Sequence, residues 1–293
     1  MFDAISFCEE NNIEYSVEGS KNVSAGWIGI TCPFCGDTSN HLGIEISTGK
    51  CFCWKCGGKS LWKVIKELVP GYDIQKTISH YSWYTEKEKK LQNKHNFEEI
   101  EIPGKKPLIK PYKEYLLRRG FDPDYLAEKY DLRFGEPYSK YEYRLIIPVK
   151  YYNKNVSYQT RRIFDNQTIR YKNCKIEDAV IQNKNLCYNL DNCKKRFAVG
   201  VEGVTDVWRI GNDSFATFGT SFTIEQILMI KNHFDTVYWL YDPGQESQEK
   251  AQNAVLTLSP YINTEIIKID GINDPGSMSE DDVIALRKEL RLY

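Results

Sequence analysis

Two Cys-x-x-Cys pairs, Cys32-Pro-Phe-Cys35-Gly and Cys53-Trp-Lys-Cys56-Gly, constrain the first seventy residues more than any other feature of the chain. Two residues between cysteines let one tight turn aim both sulfurs at a single ion, and Gly36 and Gly57 supply the sharp bend after each pair. Seventeen residues lie between Cys35 and Cys53, the spacing of a two-knuckle zinc ribbon. Four thiolates satisfy zinc tetrahedrally and leave no open position, so the site is expected to be structural. The competing reading packs the four cysteines as small apolar side chains, and it leaves two matched pairs unexplained.

Five of the nine cysteines fall between Cys32 and Cys56. In a reducing compartment that usage points to metal and away from disulfides. Cys51 offers a spare sulfur, but Cys53 keeps the two-residue spacing to Cys56. His41 has the right chemistry for a ligand and is read as a loop histidine; Cys8, Cys174, Cys187 and Cys193 are scattered and read as structural. So small a ribbon builds little core, and bound zinc contributes folding free energy directly. Trp27, Phe34, Phe52, Trp54 and Lys55 lie near the knuckles. Such rings either stack on unpaired bases while lysine meets phosphate, or fill the ribbon's core.

The remaining chain divides by pattern. Residues 1–70 form the expected ribbon domain, closed by a helix over Leu61–Leu68 with apolar residues at 61, 64, 65 and 68. Residues 71–107, with the charge run Glu86-Lys-Glu-Lys-Lys90, read as a solvated linker. Residues 108–195 open with a helix over Tyr112–Arg119 ended by Gly120, followed by strands at Leu145–Val149 and Val156–Thr160. Residues 196–293 alternate strand and helix: strands at 197–201, 215–218, 236–241 and 265–269, helices at 205–210, 223–233, 245–258 and 279–290. Alternation of this kind predicts a mostly parallel sheet with helices on its faces, an α/β domain within an α+β whole.

Hydrophobic residues at 41% and charged residues at 27% suit a globular chain of two or three domains. No run approaches the roughly 20 apolar residues of a membrane helix, and MFDAISFCEENN lacks the basic-then-apolar pattern of a secretory signal. A cytoplasmic protein without membrane partners is expected. A net charge of −1 argues against a wholly basic nucleic-acid coat, not against a local basic surface. Gly58-Lys59-Ser60 imitates the end of a phosphate loop, but its leading glycine position is Cys53, so no nucleotide-driven motor is read here.

Glu202 follows the strand at 197–201, and Asp206 comes one helical turn later; Asp242 ends the strand at 236–241, and Asp274 follows the strand at 265–269. Carboxyl ends of parallel strands share one edge, so these carboxylates are placed to converge. Converged carboxylates suit Mg²⁺ or Mn²⁺, ions that activate a hydroxyl and neutralise phosphate. The alternative is that each acid stabilises a nearby helix N-terminus.

In their order, these motifs resemble the bacterial and phage DnaG-type DNA primases. The cysteine pairs resemble that family's N-terminal zinc ribbon, and Tyr115-Leu-Leu-Arg-Arg-Gly120 its YLxxRG helix end. Arg144-Leu-Ile-Ile-Pro148, Tyr158-Gln-Thr-Arg161 and Arg170-Tyr-Lys172-Asn173 resemble its core elements. Val201-Glu202-Gly203-Val-Thr-Asp206, Leu240-Tyr-Asp242 and Asn273-Asp274-Pro275 resemble the motifs of its Toprim catalytic domain. The resemblance implies a zinc ribbon, then a primase core with a Toprim-type parallel sheet flanked by helices. It implies synthesis of short RNA primers on single-stranded DNA from ribonucleoside triphosphates. Glu202, Asp242 and Asp274 would hold Mg²⁺ or Mn²⁺ with Asp206 in support, and Arg144, Arg161, Arg170 and Lys172 would line a groove for phosphates. A separate replicative helicase is the implied partner.

Two positions depart from the family pattern. Gly244 stands where the Asp-x-Asp motif has its second aspartate, with Glu246 as a nearby substitute, and Gln159-Thr160 replaces two glycines before Arg161. A Toprim nuclease, or a zinc-dependent single-stranded-DNA-binding module without catalysis, are the alternative functions.

Overall fold

The computed structural model describes residues 2–82, 98–165, 168–218, 222–269, 271 and 274–292. In chain order, α1 (Ala4–Glu10) precedes β1 (Tyr15–Ser16), β2 (Trp27–Cys32), β3 (Asp37–Glu45), β4 (Cys51–Cys53) and β5 (Gly57–Lys59). Helices α2 (Leu61–Leu68), α3 (Ile74–His80), α4 (Lys110–Arg118) and α5 (Pro123–Tyr130) come next. They lead to β6 (Arg133–Phe134), β7 (Arg144–Tyr151), β8 (Lys154–Arg162) and β9 (Tyr171–Asn173). The C-terminal part runs β10 (Phe197–Val201), α6 (Val204–Ile210), β11 (Ser214–Ala216), α7 (Ile224–His233), β12 (Thr236–Trp239), α8 (Gln245–Leu258), β13 (Asn263–Ile266) and α9 (Glu280–Glu289). Among the described residues, no helix is long and apolar enough to cross a membrane.

The chain separates into two compact units. The first comprises residues 1–93, 196–200 and 230–270. Its N-terminal half is the antiparallel sheet β1-β2-β3-β4-β5. Strands β2 and β3 put Ile28, Ile30, Leu42 and Ile44 into the core, as period-two alternation requires. Helix α2 covers that core with Leu61, Val64 and Ile65. Its other half holds β10, β12 and β13 as parallel neighbours, with Gly200 opposite Trp239 and Trp239 opposite Ile266. Helix α8 buries Ala251, Ala254, Val255 and Leu258, the i, i+3, i+4, i+7 face of an amphipathic helix. The two halves meet where Gly58 lies against Gln252 and Leu256 of α8, and Lys63 Nζ pairs with Glu265 at 2.9 Å.

The second unit comprises residues 94–195, 201–229 and 271–293. Its centre is the antiparallel sheet β6-β7-β8-β9. Strands β7 and β8 are joined by Tyr152-Asn153, both at positive φ, the geometry of a tight two-residue hairpin turn. The Asp191 carboxylate accepts both of that turn's N–H groups, at 3.0 and 2.7 Å. Helix α5 is capped by Asp122, whose carboxylate accepts from the N–H groups of Asp124 and Tyr125.

The helices expected at 61–68 and 245–258 form over those residues. Strand β12 ends at Trp239, two residues short of the expected 241, and β13 lies at 263–266 where 265–269 was expected. Pairing decides both. Parallel register sets Thr236 against Asn263, and the Trp239 indole N–H donates to Thr264 Oγ1 at 2.7 Å, which draws a polar residue into the sheet. Within the 71–107 segment read as a linker, α3 forms, started by Asp73 and anchored by buried Ile78, and Ile102 is buried. The charge run at 86–90 lies outside the described residues.

Strand β10 carries one tight constraint. A Cβ at Gly200 would stand 2.3 Å from the Trp239 ring, so the indole packs directly against a bare Cα. Gly200→Ala is expected to destabilise the fold by about 1–3 kcal/mol, the usual cost of overfilling a packed core. A urea unfolding midpoint equal to that of the wild type would refute this.

Candidate functional site

Both knuckles sit on hairpin turns. Cys32 pairs with Asp37 across the first and Cys53 with Gly57 across the second, with Gly36 and Gly57 at positive φ. The four thiols of Cys32, Cys35, Cys53 and Cys56 lie within 4.8 Å of one another. Sγ to Sγ separations are 3.7 Å for Cys32–Cys56 and 3.8 Å for Cys35–Cys53. A zinc–sulfur bond of about 2.3 Å in a tetrahedron requires sulfur–sulfur edges of about 3.8 Å. The cluster therefore has the donor set and spacing to coordinate a structural zinc.

The other candidates stand apart from it. Cys51 is fully buried and its thiol donates to the Gly49 carbonyl; burial pushes that thiol far above its ordinary pKa. His41 Nδ1 sits 2.8 Å from Asp37 Oδ2, and Lys55 contacts the other oxygen of the same carboxylate. Hydrogen bonding from Lys55, helped by His41, holds Asp37 down to about 2 against the cost of its burial. Beside the cluster, Trp27, Phe52, Trp54 and Gly43 shape a hollow of about 370 Å³ with Lys50 and Glu45 on its lining. Trp54 is 66% exposed, edge-on to Phe52. Phe34 instead packs against the ribbon core.

In the second unit, two of the predicted acids meet. A methyl at Gly276 would stand 2.8 Å from Asp206 Oδ1 and 3.2 Å from Asp274 Oδ1, so both carboxylates lie against the same bare Cα. Each spends one oxygen locally. Asp206 Oδ2 accepts from the Gly203 N–H at 3.0 Å, and Asp274 Oδ1 from the Gly276 N–H at 2.8 Å. These are backbone-capping roles, and Asp206 Oδ1 also accepts from the Thr205 hydroxyl at 3.4 Å. Glu202, half-buried, immediately precedes Gly203. Asp242 belongs to the first unit, three residues past β12, where its carbonyl accepts from Gln248 Nε2 at 2.9 Å. Glu246 points to solvent and pairs with Lys250 at 2.9 Å. Among the described residues, the cysteines are the group whose ligand atoms close on one point; the carboxylates do not reach that spacing.

The basic candidates separate. Arg144 is 2% exposed, and its guanidinium donates to Thr160 Oγ1 and to the carbonyls of Thr160, Ile169 and Arg170. It clamps β7, β8 and the approach to β9, and takes no place on an open groove. Arg161 is also buried, held by the hydroxyls of Tyr115 and Tyr171 with its plane near both rings. It lines a cavity of about 380 Å³ together with Arg118, Arg119, Arg162 and Arg170. Asp165 is the one acid on that lining, and it pairs with Arg162 at 3.4 Å. Lys172 is exposed on β9. Five guanidinium groups around one hollow suit a multiply charged anion such as a phosphate chain.

Neither models of protein families nor curated proteins give a match to this sequence. Solved structures do resemble it. The zinc-binding and RNA polymerase domains of the Aquifex aeolicus primase align over 99% of this chain and 83% of that one, with a TM-score of 0.54 and 18% identity. A DnaG primase catalytic domain bound to single-stranded DNA aligns over 64% of this chain and 73% of that one, with a TM-score of 0.54 and 20% identity. A DNA primase domain from Pseudomonas aeruginosa aligns over 62% and 72%, with a TM-score of 0.51 and 18% identity. The chain has the fold of a DnaG-type primase.

Within that primase fold, three parts of the site escaped sequence reasoning as site residues: Arg118 and Arg119 on the cavity wall, Arg162 beside them, and Gly276 against the two aspartates. The paired arginines at 118–119 and 161–162 were the available signal, but a pair of arginines in sequence is most often an exposed charge.

Two outcomes test the site. Cys53→Ala is expected to lose bound zinc and unfold the ribbon, whereas Cys51→Ala keeps one zinc per chain, both read by metal analysis of purified protein. Gly276→Ala forces a methyl between the Asp206 and Asp274 carboxylates. It is expected to weaken Mn²⁺ binding about tenfold by the displacement, measured by electron paramagnetic resonance; unchanged Mn²⁺ affinity would show that the pair binds no ion.

Proposed function

We propose that this chain is a DNA primase that makes short RNA primers on single-stranded DNA by divalent-metal nucleotidyl transfer. The observation that carries the proposal is the alignment of 99% of the chain with the zinc-binding and RNA polymerase domains of a primase. The meeting of Asp206 and Asp274, in the same unit as a five-arginine cavity, supports it.

Glu202, Asp206 and Asp274 are the residues of the second unit that would hold Mg²⁺ or Mn²⁺; their hard oxygens suit such ions. When bound, these ions supply activation of a 3′-hydroxyl and charge neutralisation on the triphosphate. Glu202 acts as a ligand or as general base for the hydroxyl proton. Arg161, Arg170 and Lys172, with the cavity arginines, hold template, primer or nucleotide phosphates. Exposed Trp54, beside the ribbon's hollow, offers a stacking face to an unpaired base. Asp242 keeps a ligand role to be tested by itself. A separate replicative helicase is the proposed partner in the host cytoplasm.

Incubation with a single-stranded template, ribonucleotides and Mg²⁺ or Mn²⁺ tests the reading. Primer ladders are expected, and Glu202→Gln, Asp242→Asn or Asp274→Asn should each reduce them by about 100-fold or more, the scale for removing a group that meets transition-state charge. A cut template would instead indicate a Toprim nuclease, and a gel shift without synthesis a binding module. Ladders that survive all three substitutions would sink the assigned acids.

A further inference from the structure

One side chain in the second unit joins the backbone beside the aspartate pair to the backbone that carries the wall of the arginine cavity. Arg209 lies on α6, three residues after Asp206, so it faces the same way on the helix. Its Nε donates to the Gly276 carbonyl at 3.1 Å. Gly276 is the residue against which the Asp206 and Asp274 carboxylates rest. The other end of the guanidinium donates to the Gly120 carbonyl at 3.2 Å and the Arg119 carbonyl at 2.8 Å. Those carbonyls end α4, the helix that carries Arg118 and Arg119 to the cavity, and Gly120 turns there at a φ of +71°. The Phe121 ring packs under the guanidinium at 4.4 Å from its centroid.

Three segments far apart in sequence thus share one planar donor group. A guanidinium serves three carbonyls because its N–H groups are fixed in a fork. An ammonium on the lysine stem has neither the span nor the plane to serve all three. The Arg119 and Gly120 carbonyls are also groups that α4's C-terminus leaves without an intrahelical partner.

We infer that Arg209 is a positioning residue that fixes the Asp206–Asp274 pair and the arginine cavity at a set spacing, so that metal and phosphate are held in register. The inference rests on the primase reading for its purpose, but the geometry and its test do not require synthesis. Loss of the fork lets the Asp274 turn and the end of α4 shift independently, and both ligands feel the change although Arg209 touches neither.

Arg209→Gln and Arg209→Lys in the full chain provide the test. Mn²⁺ affinity is read by electron paramagnetic resonance, and affinity for inorganic triphosphate by calorimetry without divalent metal. Zinc content and the thermal midpoint report folding. Both affinities are expected to fall together by about tenfold, the usual reach of a residue acting through its neighbours. Asp274→Asn should lower Mn²⁺ affinity alone and Arg118→Ala triphosphate affinity alone. Should Arg209→Gln fail to fold, Arg209→Lys decides, with the same joint loss expected despite its retained charge. A lower thermal midpoint with both affinities intact, or loss of only one, overturns the inference, as does wild-type protein that binds neither probe. Wild-type protein that binds both probes but makes no primers removes the primase reading, while the affinities still decide the role of Arg209.

Discussion

The parallel ladder of β10, β12 and β13 is the constraint on which the C-terminal half depends. Its tightest point is the indole of Trp239 packed against the bare Cα of Gly200, with the indole N–H committed to Thr264. A ring in that place fixes which residues of three strands stand side by side, since a slip by one would drive a side chain into the indole and bury its N–H unbonded. The chain that leaves β10 then delivers, within nine residues, Glu202, Asp206 and Arg209. The chemistry proposed for this protein starts from where that strand ends.

The ribbon depends on a different force. Its sheet is small, and the Cys32, Cys35, Cys53 and Cys56 thiols gather at hairpin turns, with Cys32 and Cys53 inside the buried core. Bringing four thiols within 4.8 Å is unfavourable without an ion to share them. A zinc held by the four thiols would act together with the cover that α2 gives to Ile28, Ile30, Leu42 and Ile44.

Arginines of similar sequence context reach opposite ends. Arg144 stands opposite Arg162 and Arg161 opposite Leu145 in the β7–β8 pair, and Arg144 and Arg161 are both buried. Arg144 meets backbone carbonyls and a threonine hydroxyl, which consume its donors inside the sheet. Arg161 meets two tyrosines that hold its plane while the cavity lies open beside it. Arg209 shows the third outcome, in which carbonyls from two remote turns make a guanidinium into a spacer. Charge alone distinguishes none of these; the partner groups do.

Much of this was legible in the chain. Paired cysteine spacing, glycines after each pair, the apolar period at Leu61–Leu68 and the strand–helix alternation after residue 196 are local properties. They depend on turns and helices that a few neighbouring residues determine. What the sequence could not carry was which distant groups meet. The placement of β13 two residues early, the burial of Arg144, the grouping of Arg118 and Arg119 with Arg161, and the approach of both Asp206 and Asp274 to Gly276 all follow from pairing and packing between remote segments. Only tertiary structure decides these, because a donor's role is set by the acceptors that folding brings to it, and those lie tens to hundreds of residues away.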